Sequence, residues 1–189
     1  MDAMRICFYL WCGWMAIWLL WAIRTKPTER RESVSSRLSY TVLTVAGFWI
    51  MFAGDVPEGW LRIRLWHANV WSTVLGVAIT AGGLAFAIWA RFYLGTNWSG
   101  SVTVKVGHQL VRSGPYRWVR HPIYFGMVLA MAGTAMERRQ VRGIIAVLLL
   151  YAGFKIKSKI EERTMIATFG AEYDDYTRNT GGILPKLRF

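Results

Sequence analysis

Residues Arg120-His121-Pro122-Ile123-Tyr124 set a cation, a titratable ring and a phenol around a proline, directly ahead of an apolar run. Pro122 suits the first position of a helix, where its missing N–H would be unpaired in any case. His121 then falls at the N-cap, a position that usually takes Ser, Thr, Asp or Asn. The unpaired N–H groups of Ile123, Tyr124 and Phe125 point to the same end, and a helix start of this kind attracts anions. His121 and Tyr124 are three residues apart, so one bound group could face both. Further along, Lys157 and Glu161 share a helical face. A carboxylate and an ammonium at the mouth of a cavity could hold a cationic cofactor and an anionic substrate. Plainer readings stay open for both groups: an interfacial histidine beside an aromatic belt, and a solvated ion pair.

These residues depend on apolar elements. Ile6–Ile23, Leu38–Gly54 and Ala68–Ala90 are near the ~20 residues that a membrane-crossing helix needs. In the third run Ala78, Ala81, Gly82 and Ala85 give a small-residue spacing that favours a close helix partner. Two further runs, Ile123–Met136 and Gly143–Phe154, are short; the first would reach only about 21 Å. The three arginines of ERRQVR lie between them. The expectation is a short helical hairpin, or a strongly tilted pair, packed against the longer helices; a full span is the alternative. KIKSKIEERTMIATFGAEYDDY then reads as a helix leaving the membrane, with a stop at Phe169-Gly170 and a short helix over Ala171–Asn179.

The chain is 54% hydrophobic and 15% aromatic, against ~45–50% apolar in soluble domains. The formal net charge is +12, but the cations sit in loops between apolar runs. That placement excludes a nucleic-acid-binding face and follows the positive-inside rule. It predicts that the loop after the first run and the long loop after the third face the cytosol. Cys7 and Cys12 offer neither zinc spacing nor a disulfide framework, and no metal site is expected. The fold expected is an all-α integral membrane protein with about five membrane helices and a cytosolic C-terminal cofactor-binding region. It forms one domain over 1–189: residues 1–67 supply two N-terminal helices, and 68–189 the third helix and catalytic region. No obligate protein partner is inferred.

His108-Gln109-Leu110-Val111, Ser113-Gly114-Pro115-Tyr116, Arg120 to Gly126, and Glu161-Glu162 with Phe169-Gly170 and Tyr173 follow one another in that order. In order and spacing they resemble the isoprenylcysteine carboxyl methyltransferase family, within the phospholipid methyltransferase-like superfamily, and suggest a prokaryotic-type member. The resemblance covers about residues 90–188. It implies S-adenosylmethionine as cofactor and a lipophilic acceptor arriving from the bilayer. Cofactor contacts would fall on Ser101, His108, Gln109, Leu110, Val111, Tyr116, His121, Pro122, Ile123, Tyr124 and Glu161. Lys157 would meet the substrate carboxylate; eukaryotic members carry arginine there, a planar fork where lysine is a point charge. Lys157 and Glu161 are the expected catalytic residues. The expected location is the cytoplasmic membrane of a prokaryote. Carboxyl O-methylation is the leading expectation, with phospholipid or lipid-amine N-methylation as the alternative. A sterol-type NADPH reductase looks similar at its C-terminal end but carries Asn where Ile123 stands.

Overall fold

Ser33 caps the second long helix, which starts at Val34, four residues ahead of Leu38, where the apolar run begins. Its side chain accepts from Ser36 N at 3.2 Å, which supplies an N-cap that hydropathy does not register. A computed structural model describes residues 2–22, 28–54, 56, 59–67, 69–98, 103–105 and 109–186. In chain order the elements are α1 (Ala3–Ala22), β1 (Thr28–Arg31), α2 (Val34–Phe52), α3 (Val70–Leu94), β2 (Thr103–Lys105), α4 (Pro122–Arg138), α5 (Val141–Phe169) and α6 (Ala171–Asn179). Tight turns occur at Trp60–Arg62, Gly95–Asn97 and Gly114–Arg117. Asn69 and Ser72 cap α3 reciprocally. Helices α1 and α3 are long and apolar enough to cross a membrane. Leu19, Leu20, Trp71 and Val74 on them are exposed, as lipid-facing side chains would be.

One antiparallel ribbon joins the helices. Arg31 pairs with Thr103 and Thr28 with Lys105, so β1 and β2 bring the loops after α1 and α3 to the same end of the bundle. The expected all-helical architecture therefore carries one small strand pair.

Small residues do join α3 to a close partner, but on the neighbouring face. Ala78, Gly82 and Ala85 are exposed. The contact is made by Gly76, Thr80, Gly83 and Ala87 against Gly126, Ala130 and Gly133 of α4. A Cβ added to Gly83 would lie 2.5 Å from Ala130 N and 2.6 Å from Gly126 O. The two backbones thus touch where neither chain has a side chain, the arrangement that membrane helices use for van der Waals packing.

The expectation of a short hairpin needs correcting. Helices α4 and α5 do form a hairpin, turning at Arg139, which is left-handed with φ 55°. However, α5 is one continuous helix of 29 residues, about 43 Å long. The polar residues after Phe154 are strong helix formers, so the backbone continues where the hydropathy changes. Arg138 donates to Met51 O, and Arg142 Nη1 donates to Ala53 O at 2.9 Å. Two of the three ERRQVR arginines thus cap the carbonyls at the end of α2, where the helix dipole favours cations.

Candidate active site

Opposite that turn, the start of α4 and the second half of α5 meet around His121. The ring stands between two carboxylates. Its Nε2 is 3.0 Å from Glu162 Oε1, and its Nδ1 is 3.3 Å from Glu161 Oε2. Arg120 Nη2 and Nε donate to the same Glu162 oxygen at 2.7 and 3.0 Å. Tyr124 Oη donates to Glu161 Oε1 at 2.6 Å. The stacking of rings continues inward: His121 lies parallel to Tyr124 at 5.5 Å, and Tyr124 to Phe154 at 4.5 Å. Lys157 Nζ sits 5.2 Å from the Tyr40 ring centre and 5.5 Å from that of Tyr124.

This geometry sets the charges. Burial alone would push the Glu161 carboxyl up, but His121, Lys157 and Tyr124 together hold it below its ordinary value. Burial opposes the Glu162 carboxylate as well, yet His121 and Arg120 bring it down to about 2. Burial would lower His121, and the two glutamates outweigh that and raise it. The helix start that invites an anion therefore has the chain's own carboxylates beside it.

A cavity of about 340 Å³ opens from this cluster, within the ~300–1,000 Å³ usual for small-molecule sites. Gln109, Leu110, Val111, Tyr116, His121, Pro122, Ile123, Tyr124, Lys157 and Glu161 all line it. Ser101 and His108 lie outside the described residues. The apolar part of the lining comes largely from residues outside the motifs: Trp14 and Trp18 of α1, Leu94 of α3, Met127 of α4 and Phe154 of α5. Trp98, Tyr173 and Tyr176 complete the aromatic lining. Two buried polar atoms on lining residues, Trp14 Nε1 and Asn97 Oδ1, have no hydrogen-bond partner among the described residues.

The floor is braced from the C-terminal side. Arg120 N and His121 N donate to Gly181 O and Gly182 O at 2.8 and 3.3 Å. Arg120 Nη1 donates to Thr177 O at 3.3 Å and also to Thr180 O. Tyr176 Oη donates to Tyr116 O at 2.5 Å. Behind the wall, Arg91 Cζ lies 4.5 Å from the Trp18-facing Trp98 ring, and Arg91 donates to Gly95 O and Trp21 O.

Residues 71–172 match the family model described as phospholipid methyltransferase. The chain belongs to the phospholipid methyltransferase family. Its curated relatives include protein-S-isoprenylcysteine O-methyltransferase of Mus musculus, 31% identical over 154 residues, covering 80% of this chain and 53% of that one. Another is methanethiol S-methyltransferase of Mycobacterium tuberculosis, 31% identical over 171 residues, covering 87% of this chain and 67% of that one. Among solved structures, the eukaryotic intramembrane Ras methyltransferase, isoprenylcysteine carboxyl methyltransferase, superposes with a TM-score of 0.54 at 23% identity, over 78% of this chain and 52% of that one. That likeness is one of fold. The chain spans about half the length of the isoprenylcysteine O-methyltransferases it matches. The family match begins in α3, so the α1 tryptophans in the cavity wall lie outside it.

The motifs contained Arg120, Glu162 and Tyr173, but sequence reasoning assigned none of them to the site. Trp14, Trp18 and Tyr176 carried no local signal. They arrive by tertiary packing, Trp14 and Trp18 from the tryptophan-rich α1 and Tyr176 from α6.

Proposed function

We propose that the protein is a membrane methyltransferase that uses S-adenosylmethionine and takes a lipophilic acceptor. Its preferred reaction is carboxyl O-methylation of an isoprenylcysteine-like molecule. One observation carries this: a carboxylate, Glu161, and an ammonium, Lys157, share one cavity whose remaining lining is largely aromatic and apolar. A sulfonium cofactor with an ammonium group suits such a place. Carboxylates and ring faces both attract cations, and Asn97 Oδ1 is a buried acceptor with no donor among the described residues.

When bound, S-adenosylmethionine supplies an electrophilic methyl group. Glu161 takes the cofactor's ammonium end, held in place by Tyr124 and His121. Tyr116 and Tyr124 flank it, and Gln109, Leu110, Val111, Pro122 and Ile123 complete its side of the wall; Ser101 and His108 are proposed contacts on the family pattern. His121 has both ring nitrogens engaged by carboxylates, so its part is to orient Glu161. Lys157 orients the acceptor carboxylate. A carboxylate needs no proton removed before it attacks, so positioning supplies most of the acceleration. The tryptophan wall keeps water out and receives the acceptor's apolar part. The protein sits in the cytoplasmic membrane of a prokaryote with this end facing the cytosol, as the cation-rich loops at the same end suggest.

Small thiols form the second reading, favoured by the relative named methanethiol S-methyltransferase. Lipid amines form the third, favoured by the family's description. An amine must lose a proton, so its rate would follow a base. Calorimetry with S-adenosylhomocysteine in detergent tests the common core, and absence of binding would sink all three. Methyl transfer from labelled cofactor to N-acetyl-S-farnesylcysteine, methanethiol and phosphatidylethanolamine then separates them. With the farnesylcysteine probe, Lys157→Ala should raise KM about tenfold or more and leave S-adenosylhomocysteine binding unchanged. An unchanged KM would remove Lys157 from its role.

A further inference from the structure

Glu162 does not line the cavity, yet it receives hydrogen bonds from Arg120 at 2.7 Å and from His121 at 3.0 Å. Its neighbour Glu161 does line the cavity and holds the other ring nitrogen at 3.3 Å. Consecutive helical residues point about 100° apart, so the two carboxylates reach the ring from different sides. A neutral imidazole has one N–H and one lone pair. Between two carboxylates it would turn its lone pair on one of them, and only the imidazolium satisfies both contacts.

We propose that Glu162 is a positioning residue that acts through His121: it holds a proton on Nε2, so that the ring stays a cation whose Nδ1–H keeps Glu161 directed into the cavity. The proposal rests on the methyltransferase reading only for the ligand that Glu161 meets. The charged and titratable groups around the ring agree with it. Arg120 and Tyr124 come from its own side, and Lys157, Glu161 and Glu162 from α5. Tyr173 and Tyr176 come from α6, and Tyr116 from the preceding turn. Tyr124 already gives its hydroxyl to Glu161, and Arg120 gives its guanidinium to Glu162 and to backbone carbonyls. Burial opposes the cationic ring, but its hydrogen bonds and the charges of the two glutamates outweigh this. Removing the charge at Glu162 takes away one of the two groups that do so.

The test uses the full chain in detergent and reads two quantities. The first is the His121 titration midpoint from imidazole NMR. The second is S-adenosylhomocysteine affinity against pH. In the wild type the midpoint should lie above 6.5, and affinity should fall as pH rises through it, because Glu161 then loses its Nδ1–H donor. Glu162→Gln should lower both midpoints by about one pH unit or more. On the acid side of the lowered midpoint it should bind within about twofold of the wild type. Glu162→Asp, which keeps the charge, should hold the midpoint above 6.5. A Glu162→Gln protein weakened equally at every pH, with its midpoint unmoved, would show a merely structural role and overturn the proposal. Should that variant not fold, the wild-type titration decides: a His121 midpoint at or below 6.5 also overturns it. If the wild type binds no S-adenosylhomocysteine, the methyltransferase reading fails, while the NMR titrations still judge Glu162.

Discussion

The two ends of the bundle hold their cations in opposite ways. At the α4–α5 turn, Arg138 and Arg142 give their N–H groups to carbonyls at the end of α2, with no carboxylate in an ion pair with either among the described residues. At the other end, Arg120 and His121 are locked onto Glu161 and Glu162, and Lys157 adds its charge to the field at Glu161. The first arrangement finishes a helix. The second concentrates opposed charges at the edge of a cavity, where each is partly committed and able to respond to a ligand. The presence of acidic partners separates the two clusters.

The largest effect should come from the glycine contact that joins the ends. Gly83→Val would drive a branched side chain into the Ala130 and Gly126 backbone and should cost about 3 kcal/mol or more, read as loss of the thermal transition in detergent. Next, the ends should come apart functionally. Arg142→Met should lose about 2 kcal/mol of stability and leave S-adenosylhomocysteine affinity unchanged. Glu161→Gln should lose affinity by more than about tenfold. Equal losses of affinity in both variants would erase the contrast between the ends.

A pH series sharpens the same comparison. The Glu162 carboxyl is held down at about 2 from an ordinary value of 4.5, so its contribution is present above 4.5 and disappears as pH falls towards 2. His121 is raised above 6.5, so its contribution is complete below 6.5 and disappears as pH rises through the folded-state value. Thermal stability should therefore decline on both sides in the wild type. Replacing His121 with Gln should flatten the alkaline side. The smallest effect is expected at Gly82→Ala. A Cβ there meets nothing within 4 Å, and the change should stabilise by about 0.5–1 kcal/mol through helix propensity.

Gly82 and Gly83 show where sequence reasoning stops. Small-residue spacing correctly indicates a close partner for α3, but neighbouring glycines fit the same pattern on faces about 100° apart. Only the position of α4 selects between them. Helix α6 was legible to the residue, because Gly170 and a polar turn bound it. The end of α5 was legible in the Phe169-Gly170 stop; its continuity with the apolar run was not, because polarity changes at Lys155 while helix propensity does not. In the site, residues within the 109–124 and 157–161 motifs could be read as one group, since their types and order carry a pattern. The cavity's apolar wall could not be read: Trp14 and Trp18 differ from Trp11 only in what they face. Trp11 Nε1 donates to Thr134 at 3.0 Å, a pairing that spans most of the chain.

The backbone bonds from Arg120 and His121 to Gly181 and Gly182 also impose an order on synthesis. When the ribosome has delivered α3 and α4, the glycine contact can close at once, because both partners exist. The floor of the cavity cannot close then: the segment that braces it is translated after the whole of α5 and α6. For that interval His121 stands without its backbone acceptors, and it gains Glu161 and Glu162 only once α5 has been made. Competence to bind ligand therefore arrives as a late event in the life of each molecule, separate from its insertion and helix packing.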